Sequence, residues 1–295
     1  MVKARHSAGV VYAVLLLAVI LAVFSATPAI AAPPERIVSL APSITECIFE
    51  MGAGDRVAGV TDYDVYPPKV AMLPKIGGYN DPSLEKILIL EPDLVIGIRT
   101  FHAALLKRLE DLGVPTLELS LHRGLPDLKT AVYAIGERTD CRAQADRLWG
   151  DIVKGLETTR QKIDRSFHGK APSMLIVVWH DPLTVAGGFS YIDDIMDAIG
   201  IPNAAGDIRY TFPQMDGEAL LARDPDILVV TRTEKGMSLT AEDLCETLER
   251  LPLGALESGA VVEAPADVLF HPGPRVIQAA EILAEIAEKA RDTGQ

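Results

Sequence analysis

Apolar positions along residues 33–295 follow two alternating patterns. Short apolar runs that end in turn residues predict buried strands at 36–40, 57–60, 94–97, 116–119, 174–179, 227–230 and 260–263. Apolar residues at helical spacing predict helices at 43–52, 102–112, 126–137, 191–199 and 241–250, from 274 onward, and a short one from 84. Ser43 and Glu46 match a capping box at the start of the first of these helices. The alternation of strands and helices indicates an α/β fold.

Residues 139–168 carry a helical pattern that no proline or strand pattern interrupts, and Gly169 supplies a C-terminal stop. Gly150 and Gly155 weaken this helix by about 1 kcal/mol each relative to alanine. Roughly 28 helical residues would span about 42 Å, which is long enough to join two domains as a rod.

One stretch of sequence occurs twice. SLEKILILEPDLVIG at 83–97 and DGEALLARDPDILVV at 216–230 align at a constant offset of 133. Because the flanking pattern of strands and helices also restarts, the repeat predicts two similar lobes with the long helix between them. The expected divisions are an N-terminal α/β lobe at 33–138, the connecting helix at 139–169 and a C-terminal α/β lobe at 170–295.

Each copy of the repeat begins with a helix start. Ser83 and Asp216 are predicted to be the N-caps, which places Glu85 and Glu218 in the first turn at matching positions. An acid in the first turn stabilises a helix by about 0.3–1 kcal/mol whatever the function. The repetition of the acids therefore does not by itself establish a functional role.

The first 32 residues have the pattern of a secretory signal peptide. Lys3 and Arg5 supply a basic start, residues 8–24 are apolar throughout, and small residues at 29–31 are typical of a cleavage site. The apolar run is 17 residues long, close to the lower limit for a membrane span, so an uncleaved N-terminal anchor is the alternative. Either reading predicts a periplasmic or otherwise extracytoplasmic protein.

Charge and motifs exclude several function classes. With a formal net charge of −13, the chain lacks the basic face that nucleic-acid binding needs. No nucleophile-elbow, Walker A or zinc-protease motif occurs, and the glycines at 52–59 follow a helix rather than open one. The histidines are dispersed along the chain, which argues against a dedicated metal site. The residues therefore predict neither an enzyme nor a metalloprotein.

The three cysteines are too far apart for a local metal motif. Cys47 is expected to be a buried thiol on the apolar face of a short helix. Two of the three could pair in an exported protein, and one would then remain unpaired in a monomer. No cysteine precedes Cys47, so a lipid-modified cysteine directly after the signal is not expected.

Aromatic side chains collect in the loops that follow the predicted strands. Ligands of α/β sheets bind beyond the C-terminal ends of the strands, and aromatic residues make up only 5% of the chain. Their concentration in these loops predicts an aromatic-walled cleft for a large flat ligand, although some of them, Trp179 above all, would equally well fill the core. The candidate ligand-binding residues are Pro42, Ser43, Tyr63, Tyr66, Tyr79, Trp179, His180, Phe189, Phe270 and His271.

A series of motifs spans nearly all of residues 33–295, in the order RIVSLAPSITE, YPP, GGYNDPSLEKILILEPDLVIG, WHDP, FPQ, LLARDPDILVV and HPGPR. In these motifs the chain resembles the cobalamin-binding proteins of bacterial ABC importers. More broadly, it is similar to the receptors that carry cobalamin, haem or ferric siderophores. The resemblance implies two Rossmann-like lobes joined by a single long α-helix, the class III periplasmic binding protein type, with the ligand between the lobes.

The resemblance implies binding without chemistry. The chain would capture cobalamin or a related corrinoid as cargo, with no cofactor of its own. Haem and ferric siderophores are the alternative cargoes within the family. From other classes, the alternatives are an α/β metal-dependent enzyme, which would need a clustered acid/base set that the sequence does not show, and an anchored sensory receptor.

In the resembling family, a glutamate on each lobe contacts arginines of the membrane permease, one per subunit. The matching residues in this chain are Glu85 and Glu218. The resemblance therefore implies that a monomeric binding protein docks on an ABC permease dimer, which works with its ATPase subunits. Matched charges on the two lobes would mainly set the orientation and the rate of that encounter.

The resemblance leaves the roles of three polar residues open. His180 and His271 could ligate a metal in the macrocycle as unprotonated imidazoles, or could hydrogen-bond its amide or propionate groups. Arg275 is expected to bond loop carbonyls at the start of the last helix, or to contact the ligand.

Overall fold

The computed structural model describes residues 32–121, 124–232 and 240–293, which contain two four-stranded sheets. The first sheet has the order β2-β1-β3-β4 and is parallel throughout. Its strands are β1 Ile37–Ser39, β2 Val57–Gly59, β3 Leu94–Ile98 and β4 Thr116–Leu119. The second sheet has the order β6-β5-β7-β8, with β6 antiparallel to β5 and the other pairs parallel. Its strands are β5 Met174–His180, β6 Leu183–Val185, β7 Ile227–Arg232 and β8 Val261–Pro265.

Helices precede and follow the strands, as the alternating pattern predicts. They are α1 Pro42–Glu50, α2 Leu84–Ile89, α3 Arg99–Asp111, α4 Leu125–Arg138, α5 Arg142–Phe167, α6 Tyr191–Ile199, α7 Gly217–Arg223, α8 Ala241–Leu248, α9 Gly254–Glu257, α10 Ala266–Leu269 and α11 Val276–Thr293. Two short 3₁₀ turns lie at Gly54–Arg56 and Pro68–Met72. The fold is therefore the predicted one, two α/β sheets joined by a long helix, while the residue limits given for the two lobes stay a prediction.

The hydrophobic core is continuous through the long helix. Its largest cluster joins side chains of the first sheet, of α5 and of the second sheet, among them Ile96, Ile152 and Val229. Strand β3 is buried at every position, as expected for a parallel strand that is covered on both faces. The two sheets therefore share one packed interior.

Helix α5 runs for 26 residues and ends where His168 and then Gly169 adopt the left-handed conformation, a common helix C-terminus. Gly155 has a packing role, because a Cβ at this position would lie 2.8 Å from Cγ2 of Ile277 in α11. Gly150 has open space around it. The helical cost of the glycine at 155 is thus offset by a close helix–helix approach, and nothing in the packing explains Gly150.

The repeated sequence has the same structural use in both sheets. The carboxylate of Asp93 accepts the backbone N–H groups of Glu35 and Arg36, at 2.7 and 2.9 Å. Asp226 accepts the backbone N–H and the hydroxyl of Ser173, at 2.7 and 2.8 Å. Each aspartate thus ties its own strand to the chain that enters the neighbouring strand, so this part of the repeat maintains the fold.

The predicted N-caps of the repeated helices are confirmed. The Ser83 hydroxyl accepts the N–H of Lys86 at 3.3 Å, and the Asp216 carboxylate accepts the N–H of Ala219 at 2.8 Å.

The capping box predicted from Ser43 and Glu46 is wrong. Helix α1 begins at Pro42, its N-cap is Ala41, and no side chain caps it. Proline is preorganised for the first helical position and starts the helix one residue earlier. Ser43 and Glu46 consequently lie inside the helix, where both are buried.

Strand β6 was not predicted. Residues 180–188 read as a loop, but β5 continues to His180 and turns back at once, so that His180 pairs with Leu183 and Val177 pairs with Val185. A strand of three residues is too short to show an alternating pattern.

The cysteines are free thiols. Cys47 is buried as expected, and burial together with the nearby Glu46 and Glu50 raises its pKa. Cys141 is also buried and accepts a hydrogen bond from Arg56 at 3.2 Å.

The signal peptide predicted for residues 1–32 lies outside the described residues, apart from residue 32. Within the described part of the chain, no helix is both long enough and apolar enough to cross a membrane.

Candidate functional site

A cleft of about 730 Å³ is lined by segments that follow strands of both sheets. The first sheet contributes the start of α1 and the loops after β2 and β4, while the second contributes the end of β5, the start of α6 and the segment before α11. This is the strand edge at which α/β sheets bind ligands. Six of the ten candidate ligand-binding residues lie together on its wall: Pro42, Ser43, Tyr63, Tyr79, Phe270 and His271.

The other four candidates are not among the lining residues. The ring of Tyr66 lies 5.4 Å from the guanidinium of Arg275. The indole N–H of Trp179 donates to the carbonyl of Asp181 at 2.9 Å, and the His180 ring is hydrogen-bonded to Thr247 at 3.1 Å. Both residues belong to the β5–β6 hairpin, where the indole N–H of Trp179 and Nδ1 of His180 already have partners. Phe189 is largely exposed.

An aromatic pair stands on each side of the cleft. Tyr79 and Phe101 have ring centroids 4.8 Å apart, and Phe212 and Phe270 have centroids 5.8 Å apart in an edge-to-face arrangement. Such pairs add about 0.5–1.5 kcal/mol beyond the burial of their area. The predicted aromatic wall is therefore present, and it contains three rings that were not among the candidates, Phe101, Tyr191 and Phe212.

The sequence contained a signal for Phe212. The offset of 133 that aligns the repeat also places Tyr79 on Phe212, four residues before each N-cap. The repeat therefore extends beyond the helix and strand into the wall of the cleft. Phe101 has no such signal, because it lies in the first turn of α3, which was expected to begin only at residue 102.

His102 holds the Tyr79 loop in place. The backbone N–H of Ile98 donates to Nδ1 at 2.9 Å, so Nδ1 is unprotonated, and Nε2–H donates to the carbonyl of Tyr79 at 2.7 Å. Burial lowers the pKa of His102, which agrees with a neutral ring, and burial raises the pKa of Tyr79 to about 12. A fully buried histidine thus connects the start of α3 to the cleft wall.

Replacing His102 with leucine is expected to destabilise the fold by at least about 2 kcal/mol, because it leaves a buried N–H and a buried carbonyl without partners. The wild-type ring is neutral when folded and takes up a proton more readily when unfolded. Its contribution is therefore full above pH 6.5 and is lost as the pH falls through the interval between 6.5 and the lower folded pKa. Thermal unfolding from pH 7.5 to 5.5 would show a shallower pH dependence for His102→Leu than for wild type.

His180→Leu is the matched control, since within the described part of the chain its ring makes one hydrogen bond, to the side chain of Thr247, at the partly exposed end of β5. Equal pH dependence in wild type and His102→Leu would contradict the assigned role.

Beneath the cleft, a buried ion pair joins the two halves of the structure. Oε1 of Glu46 in α1 lies 2.8 Å from Nη2 of Arg275, which directly precedes α11. Their side chains are 1% and 12% exposed. Arg275 also contacts Asp267, reaching its carboxylate at 3.0 Å and its carbonyl at 3.1 Å. Arg275 thus bonds a backbone carbonyl, but one in helix α10 rather than in a loop as expected, together with two carboxylates that were not expected.

The electrostatics of this pair are dominated by burial. Burial raises the pKa of Glu46, and the hydrogen bond and charge of Arg275 act against that rise. Gly273 permits the close approach, because a Cβ there would lie 3.3 Å from Oε2 of Glu46. The glycine of HPGPR is therefore needed where the second half of the molecule meets α1.

A second polar contact crosses between the halves from the first turn of α6. The Asp194 carboxylate accepts the N–H of Leu125, at the start of α4, at 2.8 Å. Gly124 has a φ of 71°, and a Cβ at this position would collide with that carboxylate. An acid from the second sheet's first helix thus caps a helix of the first sheet.

His271 lines the cleft beside the ion pair of Glu46 and Arg275. Burial, and then the charge of Arg275, lower its pKa, and its Nδ1 is buried without a hydrogen-bond partner among the described residues. The ring is consequently a neutral imidazole.

The cleft wall is almost uncharged. Among the described lining residues, Asp81 is the only carboxylate, and none is a lysine or an arginine. The remaining polar groups are mostly hydroxyls and one amide, including Ser43, Asn80, Ser190 and Thr211.

Comparison with known proteins identifies a family. A family model described as "Periplasmic binding protein" matches residues 37–268. An uncharacterized ABC transporter substrate-binding lipoprotein, YvrC of Bacillus subtilis, is 30% identical over 256 residues, covering 85% of this chain and 79% of that one. A vitamin B12-binding protein of Vibrio parahaemolyticus is 25% identical over 248 residues, covering 84% and 87%.

The structural comparison agrees. The periplasmic heme-binding protein RhuT from Roseiflexus sp. RS-1, in apo form, superposes with a TM-score of 0.74 at 29% sequence identity, covering 87% of this chain and 98% of that one.

Proposed function

This chain belongs to the periplasmic binding protein family, and from that premise we propose that it captures a corrinoid, cobalamin or cobinamide, in the cleft and delivers it to an ABC permease. It is a binding protein and not an enzyme. The macrocycle is cargo rather than a cofactor. The family and the lipoprotein relative support an extracytoplasmic location, and we assign residues 1–32 to the export signal.

The observation that carries the ligand class is the charge of the cleft. Haem has two carboxylates, which would meet Asp81 on a described wall without lysine or arginine. The side chains of cobinamide are neutral carboxamides, which can donate to a carboxylate and exchange hydrogen bonds with hydroxyl and amide groups such as Ser43, Asn80 and Thr211. The aromatic pairs supply apolar surface for the ring, and a volume of about 730 Å³ is typical of a small-molecule site.

The relatives support a macrocyclic ligand and allow both main candidates. One sequence relative is named for vitamin B12 and the structural neighbour for heme. The charge of the cleft is what favours the corrinoid between these two.

The test is a titration of the purified protein with dicyanocobinamide, cyanocobalamin and haemin, followed by calorimetry and by absorption of the macrocycle. We expect micromolar or tighter binding of at least one corrinoid and binding of haemin at least about tenfold weaker, since one unpaired charge contact is worth about 1.4 kcal/mol or more. Micromolar binding of haemin with no binding of either corrinoid would overturn the proposal.

Haem is the second candidate because of His271. The His271 ring lines the cleft and its Nδ1 has no partner among the described residues, but that nitrogen is buried, so binding haem iron, which accepts an imidazole ligand, would require the ring to turn. If haemin binds, a change in its absorption spectrum in His271→Ala would identify that contact.

We further propose that Glu85 and Glu218 dock the protein on the permease. Both side chains are exposed in the first turn of their helices, and neither forms an ion pair within the described residues. Asp81 and Phe212, shortly before the two helices, line the cleft, so each acid lies close in sequence to the cleft edge. Two matching acids on two similar halves suit a two-fold partner such as a permease dimer with its ATPase subunits.

A further inference from the structure

We infer that Asp81 is the specificity-determining residue of the cleft, accepting hydrogen bonds from the carboxamide groups of the ligand and excluding ligands that carry carboxylates there. This inference rests on the corrinoid function proposed above and names the chemical group that the site selects.

The loop that carries Asp81 is held in a defined conformation by hydrogen bonds to its own backbone. Gly77 has a φ of 116°, its carbonyl accepts the N–H of Asp62 at 2.9 Å, and the N–H of Ser83 donates to the carbonyl of Ile76 at 2.8 Å. These bonds close the loop at both ends. Within it, the carbonyl of Tyr79 is held by the buried His102 at 2.7 Å. The backbone beside Asp81 is therefore fixed by its neighbours without the help of a ligand.

The carboxylate itself has a defined place in the loop. A Cβ at Gly78 would collide with Oδ1 of Asp81 and would lie 3.3 Å from its Cγ. The glycine thus leaves room for the carboxylate to lie against the loop backbone. Asp81 remains exposed on the cleft side, so its acceptor lone pairs stay available.

The chemistry of the group points to an amide donor. An ionised carboxylate only accepts hydrogen bonds, and a primary carboxamide offers two N–H donors. Hydrogen bonds to a charged acceptor are shorter and stronger than neutral ones. A ligand carboxylate at the same place would face a like charge, with no lysine or arginine among the described lining residues to compensate it.

The second half of the molecule provides an internal comparison. The repeat offset places Asp81 on Gln214, which is neutral. The charge is therefore not a requirement of the repeated loop, and the feature that sets Asp81 apart from its counterpart is its position in the lining of the cleft.

The test uses two corrinoids with the same metal and ring. Dicyanocobinamide carries carboxamides, and dicyanocobyrinic acid carries carboxylates at the corresponding positions. Dissociation constants are measured by calorimetry for the full chain and for Asp81→Asn, which keeps the shape of the side chain. We expect the wild type to prefer the amide compound, and the ratio of the two constants to fall about tenfold in the variant.

The direction of each change separates recognition from damage. Asp81→Asn should weaken binding of dicyanocobinamide and strengthen binding of dicyanocobyrinic acid, because the variant loses a charged acceptor and gains an N–H donor. A variant whose loop is merely distorted would bind both compounds more weakly. Gly78→Ala should displace the Asp81 carboxylate without removing it, and should weaken binding of dicyanocobinamide several-fold. Asp55→Asn is the matched control, since it makes the same charge change on an exposed residue that neither lines the cleft nor belongs to the loop, and the ratio of its two dissociation constants should equal that of wild type.

Two results would overturn the inference, and they differ. If the wild type binds dicyanocobinamide but the ratio is the same in Asp81→Asn, the role of Asp81 is wrong and the proposed function stands. If the wild type binds haemin and neither corrinoid, the proposed function is wrong and the inference fails with it.

Discussion

Reversing the charge of both Glu85 and Glu218 to arginine is expected to reduce ligand uptake to about one hundredth or less, and to leave the affinity of the purified protein for its ligand within a few-fold. A loss of about 1.4 kcal/mol at each docking point gives this factor. Uptake is measured in cells that carry the cognate permease, and affinity by calorimetry.

The expectation rests on what the two side chains do not do in the isolated protein. Each is exposed in the first turn of a capped helix, and neither lines the cleft or forms an ion pair within the described residues. Their replacement costs the folded chain little beyond the helix-dipole contribution of about 0.3–1 kcal/mol each. A large effect on uptake would therefore reflect a partner.

The control pair is Asp55→Arg with Glu242→Arg. These are also exposed acids in first turns, one in each half of the molecule, but outside the repeat. They carry the same change of charge, Glu242 in the first turn of α8 and Asp55 in a short 3₁₀ turn, so uptake should remain near wild type. An equal loss of uptake in both pairs would show a general effect of charge rather than docking at Glu85 and Glu218. Loss of ligand binding by the purified Glu85/Glu218 variant would also contradict the docking role.

Replacing Arg275 with methionine is expected to destabilise the protein by about 3–5 kcal/mol, because it leaves the carboxylate of Glu46 buried without its cationic partner. For a chain of this size, the loss corresponds to a fall of about 10 °C in Tm. The effect is large because Glu46 is 1% exposed, so water cannot replace the arginine. Denaturant unfolding measures the free energy directly.

The pH dependence of that variant follows from Glu46. Burial already raises the pKa of this carboxyl in the folded state, and Arg275 opposes the rise. Without Arg275 the folded pKa rises further, so the folded protein holds a proton that the unfolded chain releases above its usual pKa. Stability then falls as the pH increases through the interval between the two values. Arg275→Met should therefore be more destabilised at pH 8 than at pH 5.5.

Two further variants make the result specific. Arg275→Met combined with Glu46→Gln should recover much of the lost stability, since the group buried at position 46 is then neutral. Arg99→Met breaks an exposed ion pair with Glu118, and should cost less than about 1 kcal/mol. An Arg275→Met protein within 1 kcal/mol of wild type would show that the buried pair does not hold the two halves together.

The architecture was predictable because its causes are local or periodic. Strand β3 is a continuous apolar run, and α5 keeps one apolar face for its whole length. The sequence repeat predicts a second sheet like the first. Errors occurred where a short-range pattern competed with a long-range contact. Ser43 and Glu46 have the spacing of a capping box, yet Glu46 pairs with a residue 229 positions away, and no sequence pattern encodes that distance.

The candidate site was predictable to a similar degree. Placing ligand residues after strand ends brought six candidates to one cleft, because the fold itself puts those loops together. Trp179 and His180 were assigned to the same loops, but an unpredicted hairpin gives them other partners. His102 acts through a fully buried ring and two backbone groups, so its role depends on the tertiary position of a loop that begins more than twenty residues before it.

The correspondence between Tyr79 and Phe212 relates the two walls of the cleft by pseudosymmetry. Both walls come from the same repeated unit and present an aromatic ring at the same point, but Asp81 lines one wall, whereas its neutral counterpart Gln214 is not among the lining residues of the other. Walls that are alike in shape and unlike in charge break the symmetry for anything bound between them. We therefore expect a flat ligand with two similar faces to be seated one way round, so that the permease always receives the same side first.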